Sequence, residues 1–130
     1  MELFSFFRSK ANRQFVTGTD LANDHHTHLK VAIQTIGKLR ELNVEEEHER
    51  KLSYRFYTDT LEKSTRLVEE IKKLNHTVLS AVPDTTRKLY VVSGWTNELK
   101  TSYEIIENMT KKMYELGNEN DCEFEGWNIA

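Results

Sequence analysis

With one cysteine, Cys122, the chain has no partner for an intrachain disulfide, and a reducing, cytoplasmic compartment is the expected home. One proline and five glycines leave little that reads as linker or low-complexity tail. No stretch approaches the roughly 18 consecutive apolar residues that a membrane span needs. Residues 1–8 carry Phe4, Phe6 and Phe7 but lack the basic lead and the apolar core of a secretory leader. With Arg8, Lys10 and Arg13 behind them they read either as an amphipathic membrane foot or as a segment packed on the domain. A Gly-rich phosphate loop, a Ser-His-Asp pattern and paired-cysteine metal spacing are all missing, so no cofactor, metal or catalytic residue is expected.

What remains is an ordinary globular composition, 38% apolar and 30% charged over 130 residues, which fits one compact domain. The formal charge of −3 and the pI near 6.0 argue against a dedicated nucleic-acid binder, which usually shows a basic excess. The acidity is concentrated at the C-terminus, where Glu115, Glu119, Asp121, Glu123 and Glu125 follow one another with no Lys or Arg between them. Such a stretch is either a solvated edge or a docking face for a basic partner surface.

Hydrophobic periodicity divides the chain. Residues 1–23 form an N-terminal segment without a legible role, with a turn at 17–20, and the folded domain is expected over 24–130. A leading helix over 24–43 carries Leu29, Ala32, Ile33, Ile36 and Leu39 at helical spacing, with Asp24 as its N-cap. It is expected to cover the second sheet face or an edge. The run Glu45–Glu49 reads as a solvated loop. A strand follows, in which Leu52, Tyr54 and Phe56 alternate with Ser53, Arg55 and Tyr57. Asp59 and Glu62 suggest a capping box for a helix whose stripe is Leu61, Thr65, Val68, Ile71 and Leu74, stopped near Asn75.

Two strands, 77–82 and 89–93, are joined by a turn at Pro83-Asp84. After Gly94-Trp95 another helix is expected, opened by Thr101 and Glu104, striped by Tyr103, Ile106, Met109, Met113 and Leu116, and closed by Gly117. A last strand, 122–124, precedes Gly126-Trp127. The order from residue 51 is β-α-β-β-α-β, which predicts an α+β fold of ferredoxin-like type. In it a four-stranded antiparallel sheet carries two helices on one face, with one extra N-terminal helix.

Few side-chain groupings suggest chemistry. His25, His26 and His28 beside Asp24 offer imidazole spacing for a metal, but also read as an exposed polar first turn. Cys122 sits in phase with Phe124 and reads as a buried thiol rather than a nucleophile. Glu123 and Glu125 share a strand face without any sign of a cleft. The sheet aromatics Tyr54, Phe56, Tyr57 and Tyr90 allow an RNA-stacking module as an alternative, although the basic aromatic-glycine signature is missing from 89–94. Gly126-Trp127 and Gly94-Trp95 each place a tryptophan after a flexible residue, either as an apolar lid or as a partner-facing hot spot.

The closing segment Asp121-Cys122-Glu123-Phe124-Glu125-Gly126-Trp127 resembles the terminal motif of the bacterial RraB-like family, the regulators of ribonuclease E activity. In that family an acidic-aromatic strand runs into Asp-Gly-Trp-Gly. Residues 52–59, the stretch Ser93-Gly94-Trp95-Thr96, and Met109, Lys111, Lys112 and Met113 extend the similarity over 29–128. Glu125 replaces the usual Asp and Asn128 the second Gly. The resemblance implies a ferredoxin-like, non-catalytic regulatory protein that binds and inhibits a ribonuclease by direct docking. On that reading the partner is a protein with a basic surface, and Glu123, Glu125, Gly126, Trp127 and Trp95 are the candidate protein-binding residues. An immunity or antitoxin protein that blocks a toxic nuclease would use the same acidic-face physics.

Overall fold

The computed structural model describes residues 15–16, 24–79, 82–84, 86 and 88–129. The expectations for residues 1–8 and for the turn at 17–20 lie outside these. The first element is helix α1, Asp24–Glu41, with Asp24 already its first helical residue. Asn43, at φ 65°, takes the left-handed conformation that stops it. The Arg40 guanidinium then ties its end to the core by donating to the Val44 carbonyl at 2.8 Å and the Thr101 carbonyl at 2.7 Å.

Strand β1, Glu49–Arg50, is too short to have been predicted. Strand β2, Ser53–Thr58, follows the expected alternation and buries Tyr54 and Phe56. Helix α2, Leu61–Lys73, is capped by Thr60, whose side chain accepts from the Lys63 amide, rather than by Asp59. Asp59 is occupied instead with the Lys63 ammonium at 2.9 Å. The stripe is also rotated from the expected one. Leu61 and Thr65 face solvent, while Lys63, Ser64, Leu67, Val68 and Ile71 are buried. Lys63 can lie inside because Asp59 one turn before it and Asp121 from the distant end of α3 both face its ammonium.

The expected 77–82 strand is two pieces, β3 at Thr77–Val78 and β4 at Val82–Asp84, both antiparallel to β5, Leu89–Trp95. Between the pairs Val78–Gly94 and Val82–Val91 the outer chain has one residue more than β5, which breaks the ladder. Pro83, expected in a turn, pairs with Tyr90 inside β4. An edge strand tolerates proline because one side needs no ladder donor. Strand β6, Leu99–Lys100, pairs only with β1.

Helix α3, Tyr103–Asn120, starts one residue later than read, with Ser102 as N-cap accepting from the Ile105 amide. Thr101 is buried and donates instead to the Glu45 carbonyl at 2.7 Å. Gly117 does not close α3 but lies within it, and Asp121, at φ 55° and ψ 45°, is the left-handed cap. Strand β7, Glu123–Asn128, runs beyond the predicted 122–124 and includes Gly126 and Trp127.

The main sheet is antiparallel with the order β3-β5-β2-β7, and β4 lies beside β3 on the same flank of β5. Helices α2 and α3 cover one face. Their core joins Tyr54, Phe56, Leu67, Ile71, Val92, Met113 and Phe124. The leading helix packs mainly on α3, and its Val31, Thr35 and Lys38 come beside Glu125, Gly126 and Ile129 at the β7 edge of the sheet. Its Ala32 and Leu39 meet Val44, Leu52 and Ile106 in a second cluster. The apolar stripe of α1 finds a helix because α3 keeps Ile106 on the side turned away from the first core.

Candidate functional site: the sheet face opposite the two helices

In an antiparallel sheet directly opposed residues point to the same face. Tyr54 opposes Gly94 and Trp127, and Phe56 opposes Val92 and Phe124, so these residues share the helix-covered side. The other side is then built from Ser53, Arg55 and Tyr57 on β2, Val91, Ser93 and Trp95 on β5, and Glu123 on β7. The extra residue between β3 and β4 puts both Leu79 and Val82 on this face as well. Leu79 is 58% exposed, Val82 54% and Trp95 47%, so large apolar side chains stand in solvent here. Single exposed apolar residues are ordinary, but several on one face mark an interaction surface, and here they stand at the β3–β5 side while Tyr57 on the same face is buried.

The predicted site residues separate. Glu123 and Glu125 are exposed on β7. Glu125 is already engaged, with its Oε1 3.1 Å from the Arg55 Nε, so this part of the acidic strand is partly neutralised. Trp95 is exposed, and Trp127 is turned inward. The Trp127 ring meets Tyr54 and Phe124 edge-on at 5.7 and 5.4 Å, and its Nε1 donates to the Thr110 hydroxyl at 2.8 Å. It touches both clusters and so joins α1 and α3 to the sheet.

Its orientation depends on a bulge. Phe56 opposes Phe124 and Arg55 opposes Gly126, leaving Glu125 as the additional residue on β7. Gly126 adopts φ 108°, which side-chain-bearing residues avoid. Were β7 to alternate strictly with no bulge, Phe124 and Trp127, three positions apart, would point to opposite faces and Trp127 would stand on the open one. Gly94 has a different duty. A Cβ there would stand 2.8 Å from the Tyr54 phenol, so the glycine makes room for a ring.

Several residues singled out for chemistry are structural. His28, read as part of an exposed first turn, is buried with its Nε2 3.8 Å from Glu107. Cys122 is buried, and loss of solvation pushes its thiol up to about 12, so it is not a nucleophile at neutral pH. Of the aromatics offered for RNA stacking, Tyr54, Phe56 and Tyr57 are buried, which removes most of a base platform.

Sequence reading missed the Asp121 hub. Its carboxylate accepts from the Phe15 amide at 2.6 and 2.8 Å, from the Val16 amide at 2.8 Å and from the Lys63 ammonium at 2.6 Å. Burial lowers the Lys63 affinity for its proton, but the Asp121 and Asp59 carboxylates outweigh that and hold it above the usual lysine value. Nothing in local sequence pairs residues this far apart. Leu79 and Val82 were within the predicted strand, but the extra residue between them concealed their common face.

No curated protein matches the sequence. Residues 30–129 match the family model described as Regulator of ribonuclease activity B. That span includes α2, α3 and every strand of the sheet, so the closing motif is matched within its whole architectural setting. The chain belongs to the RraB family.

Proposed function

We propose that this protein is a non-catalytic, cytoplasmic regulator that docks directly on a ribonuclease, of the ribonuclease E type, through the sheet face opposite α2 and α3. The observation that carries the reading is that exposed Leu79, Val82 and Trp95 share one face with Glu123, beside which the bulged Glu125 pairs with Arg55 of that face, in a chain of the ribonuclease-regulator family. Apolar anchors beside acidic groups suit a basic protein surface, where charge steers the encounter and buried apolar area holds the complex. On this reading Trp95, Glu123 and Glu125 touch the partner, while Gly126 and Trp127 set the strand that presents them. The strand order supports a ferredoxin-like arrangement, with residues 24–130 as its domain.

The test is binding and RNA cleavage by a purified ribonuclease E-type endonuclease titrated with the intact protein. Inhibition that weakens at least about tenfold in the double variant Glu123→Lys, Glu125→Lys supports the docking face, since each exposed charge pair contributes up to about 1 kcal/mol. Equal inhibition by both proteins removes the acidic strand from the interface. Failure of the unaltered protein to bind the nuclease overturns the proposed function.

A further inference from the structure

We propose that a second surface, the cleft bounded by the end of α1, strand β1 and the ends of β5 and β7, is a peptide groove. Its occupant is a partner segment that carries an apolar side chain flanked by acidic residues. The cleft has a volume of about 280 Å³, enough for one large apolar side chain with its neighbouring backbone. Leu39 and Ile129 line it, the exposed Leu42 forms its lip and the exposed Trp95 a wall. Such a lining takes an apolar anchor, and an aromatic wall at an open cleft is a usual feature of binding hot spots.

Charge identifies the flanks. Arg50 and Lys51 stand exposed at the rim, and among the described residues neither forms an ion pair. Among the described residues no carboxylate side chain lines the cleft, although acidic residues outnumber basic ones in the chain by 21 to 18. Two uncommitted cations at an apolar opening complement an occupant that is apolar at its centre and anionic beside it. The cleft is open to solvent along its exposed lip, which admits a passing chain. This preference is opposite in sign to that of the acidic strand, and Glu123 and Glu125 take no part in it. Trp95 borders both surfaces, so the two are told apart by charge reversals confined to one of them, Glu123 and Glu125 on the strand or Arg50 and Lys51 at the cleft.

The experiment follows amide shifts of the full chain during titration with a blocked peptide that has a Leu-Phe core between paired Asp residues. The expected result is saturable movement at Leu39, Leu42, Trp95 and Ile129. The same core between Lys residues binds about tenfold more weakly, as does the Arg50→Glu, Lys51→Glu variant. Leu42→Ser weakens binding without altering charge. These substitutions lie at exposed positions, and unchanged shifts at Phe56 and Met113 verify that the core is intact. Absence of saturable shifts up to millimolar peptide, equal affinity for the Lys-flanked peptide, or indifference to charge reversal overturns the groove. Uptake of dodecanoate with no response to the acidic peptide also overturns it, by assigning the cleft to a small amphipathic anion.

Discussion

At Gly117 the missing side chain is a packing requirement. A Cβ there would lie 2.5 Å from the Cys122 carbonyl oxygen and 3.1 Å from the Phe56 ring, and the carbonyl belongs to backbone that cannot easily retreat. Gly37, also within a helix, has nothing within 4 Å of such a Cβ. The same substitution should therefore have opposite signs. Gly37→Ala is expected to stabilise by up to about 1 kcal/mol through helix propensity. Gly117→Ala is expected to lose about 1–2 kcal/mol net, because overpacking exceeds that gain. Urea midpoints of the two variants check the pair, and a stabilised Gly117→Ala would contradict the close approach. Asp121 is the other decisive residue. Asp121→Asn keeps a side chain that tolerates the left-handed cap but removes the charge facing Lys63. With Asp59 still in place the expected loss is about 3 kcal/mol, the low end for unpairing a buried charge. Faster amide exchange at Phe15 and Val16 should accompany it, since both donate to that carboxylate.

Strand β7 shows how one element can be legible in composition and illegible in phase. Its residues were recognisable from the closing motif, and the expected pairing of Glu123 with Glu125 on one exposed edge followed from alternation. The bulge at Glu125 changes the phase, so Phe124 and Trp127 both reach the core three positions apart. Gly126→Ala should cost about 1–2 kcal/mol, because a Cβ is disfavoured at its positive φ. If the bulge relaxes, Trp127 loses its Thr110 bond and its emission shifts to the red, measured with Trp95→Phe to silence the other indole. Unchanged stability and emission would mean that the bulge does not depend on glycine. Helix boundaries show the same division. Helix existence was clear from the apolar period in α1, α2 and α3. The caps fell to Thr60 and Ser102, while Asp59 pairs with Lys63 one turn on and Thr101 is drawn to the Glu45 carbonyl, a contact outside the local pattern.

For the whole molecule, the buried contact between the Tyr54 hydroxyl and His76 Nδ1, 2.8 Å apart, predicts acid sensitivity. Burial, with the nearby Lys112 charge adding to it, lowers the His76 affinity for a proton, and burial also keeps the Tyr54 phenol protonated. The unfolded chain, with histidine near its ordinary value of about 6.5, then binds more protons than the folded one as the solution is acidified. The contribution of neutral His76 is present above that value and is lost as pH falls from it toward the lower folded value. Urea midpoints between neutral and mildly acid pH should therefore decline, with a shallower decline in His76→Gln. Identical slopes would assign the acid sensitivity to other groups.

The three helices, the α+β class, the burial of Cys122 and the family likeness were legible in local pattern alone, whereas the short strands β1 and β6 and the division of β3 from β4 were not. Alternation and helical period are properties of neighbouring residues, and they survive in any fold that buries them. The candidate face was legible only in part: Trp95, Glu123 and Glu125 were singled out and are exposed, but Leu79 and Val82 were not foreseen on the face of Trp95. Which face stays open, which tryptophan turns inward and why a lysine can be buried were decided by the tertiary structure. Each depends on a register shift or a charge partner contributed by a distant segment, and short-range periodicity contains no term for either.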